Sequence, residues 1–146
     1  MSFVNVLIRE AQQADGSAIV ELLNQLGYPG TDGFIEERLE ELMKHPDARV
    51  LVAVDGSTVI GVLSLNFIPQ LALAGDFCRI SYLCVRSDRA GQGVGGRLEA
   101  EAEALARLRG CDRMEVHCHS RRTAAHLFYG HRGYQEIPKY LVKSLR

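Results

Sequence analysis

The chain has 146 residues, of which 47% are apolar and 24% charged, and its net charge is −1. Size and composition are those of one globular domain, so residues 1–146 are read as a single unit and intrinsic disorder is excluded. The near-neutral charge gives no general attraction to nucleic acid or acidic lipid, and no apolar run approaches the roughly 18 residues of a membrane span.

Taken in order, Phe3 to Ile8 is rich in β-branched and apolar residues and predicts a first strand. Asp15 stands where a helix N-cap belongs. The apolar face of that helix is Ile19, Leu22, Leu23 and Leu26, and Gly27 ends it. The turn-rich GYPGTDG follows, and Thr31 or Asp32 starts a second helix with Glu36 and Glu37 in its first turn. Ile35, Leu39, Leu42 and Met43 form its apolar face, and His45-Pro46 stops it. Val50 to Val54 and Thr58 to Asn66 flank Asp55-Gly56, a hairpin signal. The apolar loop Ile68 to Gly75 admits three readings: a lid, a contact between copies, or the end of a long strand. The N-terminal MSFVNVLIREAQQ has neither a charged leader nor a cleavage site of small residues. Cys78, Cys84, Cys111 and Cys118 lack C-x-x-C spacing and read as buried free thiols, which together predicts a cytoplasmic location.

The central feature is ISYLCVRSDRAGQGVGG, from Ile80 to Gly96. The strand Phe77 to Val85 enters a polar turn, then a loop with glycines at 91, 93, 95 and 96. A helix follows at once, with Val94, Leu98, Ala102, Leu105 and Leu108 on its apolar face and Gly110 at its C-cap. The first N–H groups of a helix lack internal partners and carry partial positive charge, and glycines let a phosphate approach the backbone. Arg89 and Arg97 flank the loop and are candidates for further charge, while Glu99, Glu101 and Glu103 stay out of the first turn. A nucleotide P-loop is excluded, because Gly95 is followed by Gly96-Arg97 instead of Lys-Ser or Lys-Thr. Gly91, Gly93 and Gly96 also satisfy a dinucleotide spacing, with Asp112 or Glu115 as the acid, and a tight strand-to-helix turn needs the same glycines.

Arg113 to His119 predicts the next strand, with Met114, Val116 and Cys118 on one face and Glu115, His117 and His119 on the other. A polar stripe on an internal strand calls for a cleft. Zinc accepts such ligands, so a metal site and a hydrogen-bonded face are the two readings of the stripe. Ser120 to Arg132 predicts a last helix carrying Ala124, Ala125, Leu127 and Phe128 inward. Tyr134 to Ile137 and Lys139 to Leu145, separated by Pro138, close the chain as strands.

Two motifs in this order resemble the GNAT family of acetyl-CoA-dependent N-acetyltransferases. The first is the strand leading into R-A-G-Q-G-V-G and its helix. The second is Ala125, Tyr129, Gly133 and Tyr134 within RTAAHLFYGHRGYQE. The resemblance is clearest from Phe77 to Leu145. The run R-x-x-A-H-x-F-Y-x-x-x-G-Y is similar to a bacterial subgroup that includes aminoalkylphosphonate acetyltransferases. Departures are Ala90 in place of arginine or glutamine, Ser87 in place of proline, Arg122 in place of asparagine, and Ser81 near which many relatives carry a glutamate.

The resemblance implies an α/β (α+β) fold: a mixed sheet of six to seven strands, splayed between the fourth and fifth, with about four helices. It implies acetyl-CoA as cosubstrate and no metal. The pyrophosphate would lie on Ala90, Gly91, Gln92, Gly93, Val94, Gly95 and Gly96, and the rest of the cosubstrate against Phe128 and the backbone of Leu83, Cys84 and Val85. Tyr129 would be the general acid beside the sulfur and His117 the base, a role suited to histidine's reference pKa of about 6.5. Tyr28, Phe34 and Glu37 would face the acceptor. The expected reaction is direct transfer to a primary amine of a small molecule, with no acyl-enzyme, in a monomer or homodimer. The alternatives are a non-catalytic acyl-CoA-binding domain, a protein or peptide amine acetyltransferase, and a nucleotide-binding module.

Overall fold

A computed structural model describes residues 5–117, 122–137 and 141–146. Five strands form one sheet in sequence order: β1 (Val6–Glu10), β2 (Ala48–Asp55), β3 (Thr58–Ile68), β4 (Phe77–Val85) and β5 (Arg113–Val116). The first four are antiparallel and β5 joins β4 in parallel, so the sheet is mixed. Four α-helices complete the fold: α1 (Gly16–Leu26), α2 (Ile35–Lys44), α3 (Val94–Arg109) and α4 (Thr123–His131). None of the described helices is long and apolar enough to cross a membrane.

The helix ends follow local chemistry. Gly27 ends α1 at φ 111°, and its N–H and that of Tyr28 return to the carbonyl of Leu23, which closes the left-handed cap that only glycine enters cheaply. Gly110 closes α3 in the same way at φ 81°. His45, forced extended by Pro46, ends α2. Asp15 does occupy the N-cap of α1, but its carboxylate caps nothing there. It accepts from both guanidinium nitrogens of Arg9, at 2.8 and 3.0 Å, and from the Gln12 N–H at 2.7 Å.

The sheet buries both faces. Against α3 lie Leu63, Leu65, Cys78 and Ile80 with Val94, Leu98, Ala102 and Ala106. Against α1 and α2 lie Val50, Val52, Val62 and Cys84 with Ile19, Leu22 and Leu39. The helix stripe 94, 98, 102, 106 repeats every four residues, and Leu108, expected on it, is 86% exposed near the end of α3.

The count of six to seven strands is corrected to five among the described residues. Residues 134–137 and 141–146 are in no strand, while 138–140 lie outside the described residues. A strand exists only through its partner, and Ile137, Leu141, Val142 and Leu145 are 77–91% exposed, so this end of the chain gains neither ladder nor core. The start of the predicted first strand, at Phe3, also lies outside the described residues. β3 runs on through Ile68; β5 is described over Arg113–Val116, His117 is in no strand, and Cys118 and His119 of the predicted strand lie outside the described residues. The second helix starts at Ile35, after a 3-10 turn at Thr31–Gly33, and Thr31 itself is buried and makes no capping bond. The last helix begins at Thr123, and it exposes Ala124 and Leu127 while half-burying Ala125, Phe128 and Tyr129.

Candidate active site

The site begins with one extra residue. β4 pairs Ile80 with Leu65 and Tyr82 with Ser64, so Ser81 is a bulge with no partner on β3. Ser81 keeps to the side of Arg79, its hydroxyl donating at 3.4 Å to Oδ1 of Asn66, the ladder partner of Arg79, and the faces exchange beyond it. Cys78 and Ile80 face α3, and beyond the bulge it is Leu83 and Val85 that do, while Cys84 turns to α1. Among the described residues the last pair of the parallel ladder with β5 lies at the same level, Ile80 with Val116.

The Arg86 N–H donates to the Ile60 carbonyl at 2.8 Å. Antiparallel ladders alternate, so the groups of Cys84 and Arg86 go to β3, and those of Leu83 and Val85 point to the opposite edge. The three-residue contact expected at Leu83, Cys84 and Val85 therefore reduces to two residues with outward amides. Gln25 already answers one group on that edge. Its Nε2 donates to the Val85 carbonyl at 2.8 Å, and its Oε1 accepts from the Ser87 N–H at 2.9 Å. Sequence patterning missed Gln25, whose position on an ordinary amphipathic helix carries no signal.

Below the strand end, Ser87–Arg89 makes a 3-10 turn, and Gly91 and Gly93 take φ of 76° and 81°. Gly93 is the N-cap of α3, and nothing lies within 4 Å of where a Cβ would stand on either glycine. The outer surface of the loop is thus open down to its backbone. The first-turn amides of Val94, Gly95 and Gly96 face no acid in that turn. The flanking arginines are engaged by other groups. Arg89 donates to Asp55 and Gln92 at 2.8 Å each, and Arg97 to the Val6 carbonyl at 2.6 Å. The donors this loop offers are backbone amides at the start of α3, while the Ala90 N–H itself returns to the Ser87 carbonyl at 3.4 Å.

α4 docks against this loop. A Cβ on Gly95 would touch the Phe128 ring at 3.5 Å, so the absence of a side chain there seats Phe128 against the helix start. Tyr129 is half-buried, with its ring edge-on to Phe128 at 5.1 Å and to Tyr134 at 5.4 Å. The other end of α4 is tied by Arg122, which donates to the Leu26 carbonyl. Arg122, in place of the usual asparagine, thus holds the start of α4 to the end of α1.

His117 is exposed, one residue beyond the last residue of β5. The Glu115 carboxylate is taken up by Arg79 at 3.0 Å and Arg113 at 3.0 Å, and His119 lies outside the described residues. Among the described residues no group of three His, Cys, Asp or Glu side chains is placed to hold a metal. Cys84 donates to the Leu22 carbonyl at 3.3 Å, and burial pushes its thiol up, as it pushes Cys78 up to about 12. Neither is a poised nucleophile.

Of the acceptor candidates, Tyr28 meets Tyr82 of β4 edge-on, with ring centres 5.2 Å apart. Phe34 and Glu37 are exposed. In the loop between β3 and β4, Leu71 is fully exposed and the Gly75 N–H is tied to Asp112 at 2.5 Å. A separate cavity of about 470 Å³, lined in part by Glu21, Gln25, Thr58 and Arg86, holds none of the predicted site residues.

Residues 16–134 match the acetyltransferase (GNAT) family. The chain is 33% identical over 129 residues to an aminoalkylphosphonate N-acetyltransferase of Salmonella typhimurium strain LT2, covering 87% of this chain and 80% of that one. Among solved structures, a transcriptional regulator from Bacillus halodurans C-125 matches with a TM-score of 0.88 at 25% identity, over 96% of this chain and 99% of that one. An aminoglycoside N-acetyltransferase in complex with CoA matches with a TM-score of 0.85 over 97% and 95%, and at 16% identity that likeness concerns the fold.

Proposed function

We propose a reaction from one premise, that the chain belongs to the GNAT family of acetyltransferases. It moves the acetyl group of acetyl-CoA directly to a primary amine of a small molecule. The observation that carries this reading is the bulged end of β4, which turns the amides of Leu83 and Val85 away from β3 and leads into a glycine loop bare of side chains at Gly91 and Gly93.

The residues fit the cosubstrate. The amides from Ala90 to Gly96 would hold its pyrophosphate, and the outward groups of Leu83 and Val85 its amide-bearing arm. His117, directly or through a water, accepts a proton from the acceptor ammonium, leaving the nitrogen lone pair free to attack the thioester carbonyl carbon. A C–N bond forms and the C–S bond then breaks. An N–H from the strand end stabilises the developing oxyanion, a contribution of roughly 2.7–4 kcal/mol where such donors have been removed. Tyr129 passes its proton to the departing thiolate, and the second proton of the attacking nitrogen, lost as the amide forms, restores the phenol. Holding both reactants in one cleft supplies the remaining advantage by proximity.

The aminoalkylphosphonate named for the Salmonella relative supports a small acceptor, and the edge-on pair Tyr28 and Tyr82 gives such a molecule an aromatic wall. The buried unpaired thiols suit a reducing cytoplasm.

The test is thiol release from acetyl-CoA across a panel of aminoalkylphosphonates, polyamines, aminoglycosides and peptide amines. Amine-dependent release is expected, falling about 100-fold in Tyr129→Phe with acetyl-CoA binding unchanged. Binding of CoA without turnover on any amine would favour the non-catalytic domain. Competition by ATP or NAD would favour the nucleotide module.

A further inference from the structure

The mechanism leaves one buried charge unused. Glu99 sits one turn into α3 with none of its surface exposed, on a helix whose other buried residues are apolar. Its Oε1 accepts from Arg132 Nε at 2.8 Å and its Oε2 from Tyr134 Oη at 2.9 Å. Both partners lie just past the end of α4, where the Tyr134 N–H returns to the Tyr129 carbonyl at 3.0 Å and the Tyr134 ring stands edge-on to that of Tyr129.

Stability alone does not explain a carboxylate here. Burying an ion pair costs solvation that its mutual attraction barely offsets, and an apolar side chain of similar size commonly serves as well. Two directional hydrogen bonds do what an apolar contact cannot, because they fix the distance and rotation of one helix against another. We propose that Glu99 is a positioning residue for Tyr129. By gripping Arg132 and Tyr134 it sets the end of α4 against α3, and so sets where the Tyr129 phenol stands relative to the glycine loop that begins the same α3. Phe128 on Gly95 and Arg122 on Leu26 constrain the rest of α4, and Glu99 anchors the C-terminal side of Tyr129 through two hydrogen bonds. The inference rests on the reading of Tyr129 as general acid.

The test is a double-mutant cycle on turnover, using acetyl-CoA and whichever amine the panel identifies, with thermal melting of each variant recorded beside it. Glu99→Gln keeps the volume and an acceptor for Tyr134 but loses the ionic bond to Arg132. It is expected to lower kcat about tenfold and leave the KM for acetyl-CoA within twofold, since a small misplacement of a reacting group lowers rate more than binding. In a Tyr129→Phe background the same substitution is expected to change kcat less than twofold. An equal loss in both backgrounds, or an unchanged kcat in Glu99→Gln, would overturn the proposal. A silent Tyr129→Phe would overturn the general-acid reading itself, which separates the two failures. If Glu99→Gln does not fold, Tyr134→Phe, which removes a single hydroxyl, carries the same comparison.

Discussion

Asp15 shows at the scale of one residue how sequence and structure part. Its place before a helix predicts a cap, yet its side chain, 7% exposed, is given to Arg9 on β1. Those guanidinium hydrogen bonds hold the carboxyl below the usual carboxylate range, against the opposing effect of burial. The folded value is thus depressed below the unfolded one of about 3.9, so the stabilisation is complete above about pH 4 and is lost as pH falls through the folded value. Asp15→Asn should lower stability by about 1.5 kcal/mol at pH 7, a fall in Tm of roughly 3–6 °C. Melts from pH 7 to pH 2 should show the gap between the two proteins closing at the acid end, and a gap independent of pH would rule the ion pair out as its source. Glu99 is a similar case. It read as one of three helix acids, and its spacing to buried Ala102 and Ala106 was the only signal that it points inward.

At the scale of elements, the glycine loop and the helix it opens were legible because glycine is demanded by backbone geometry. Gly93 at φ 81° is a left-handed N-cap, where a Cβ costs about 1–2 kcal/mol even in open space. Gly93→Ala should therefore fold, melt a few degrees lower, and bind acetyl-CoA about tenfold more weakly, because relief of strain turns the first amides of α3 off the anion. Calorimetric titration with CoA measures this, and undiminished affinity would place the anion elsewhere. The bulge at Ser81 was not legible. A strand that gains a residue keeps an apolar pattern on each side of the gain, and only the ladder shows that the faces have exchanged. The ladder likewise shows that of Leu83, Cys84 and Val85 it is Cys84 whose backbone groups go to β3.

At the scale of the whole molecule, the sheet is a wall buried on both sides, and the candidate site stands at the bulged end of β4. Leu98 of α3, with none of its surface exposed, presses on β3 at Gly61, where an added Cβ would stand 3.1 Å from Leu98 Cδ1 and 3.3 Å from the Cys84 carbonyl. Gly61 in turn lies opposite Val85, so this contact backs the strand end that the mechanism uses. Leu98→Ala should leave a cavity there and cost about 3–5 kcal/mol, a large part of a domain's total stability. Urea unfolding should show an earlier midpoint with an unchanged slope. A loss below about 1 kcal/mol would mean that α3 packs more loosely than described.

Local chemistry alone determined the helix stops at Gly27, His45 and Gly110, the hairpin at Asp55-Gly56, the strand-to-helix glycine loop, and the family to which these motifs point. Each of these depends on a backbone preference or a short spacing that neighbouring residues carry in full. Tertiary structure alone decided the partners of the polar side chains. Arg89 and Arg97 went to Asp55 and Val6, Gln25 to the end of β4, and Glu99 to the far end of α4. It also decided that the chain's last apolar residues remain exposed instead of adding strands. A hydrogen bond between residues tens of positions apart depends on how the elements stack, and no local pattern encodes that stacking.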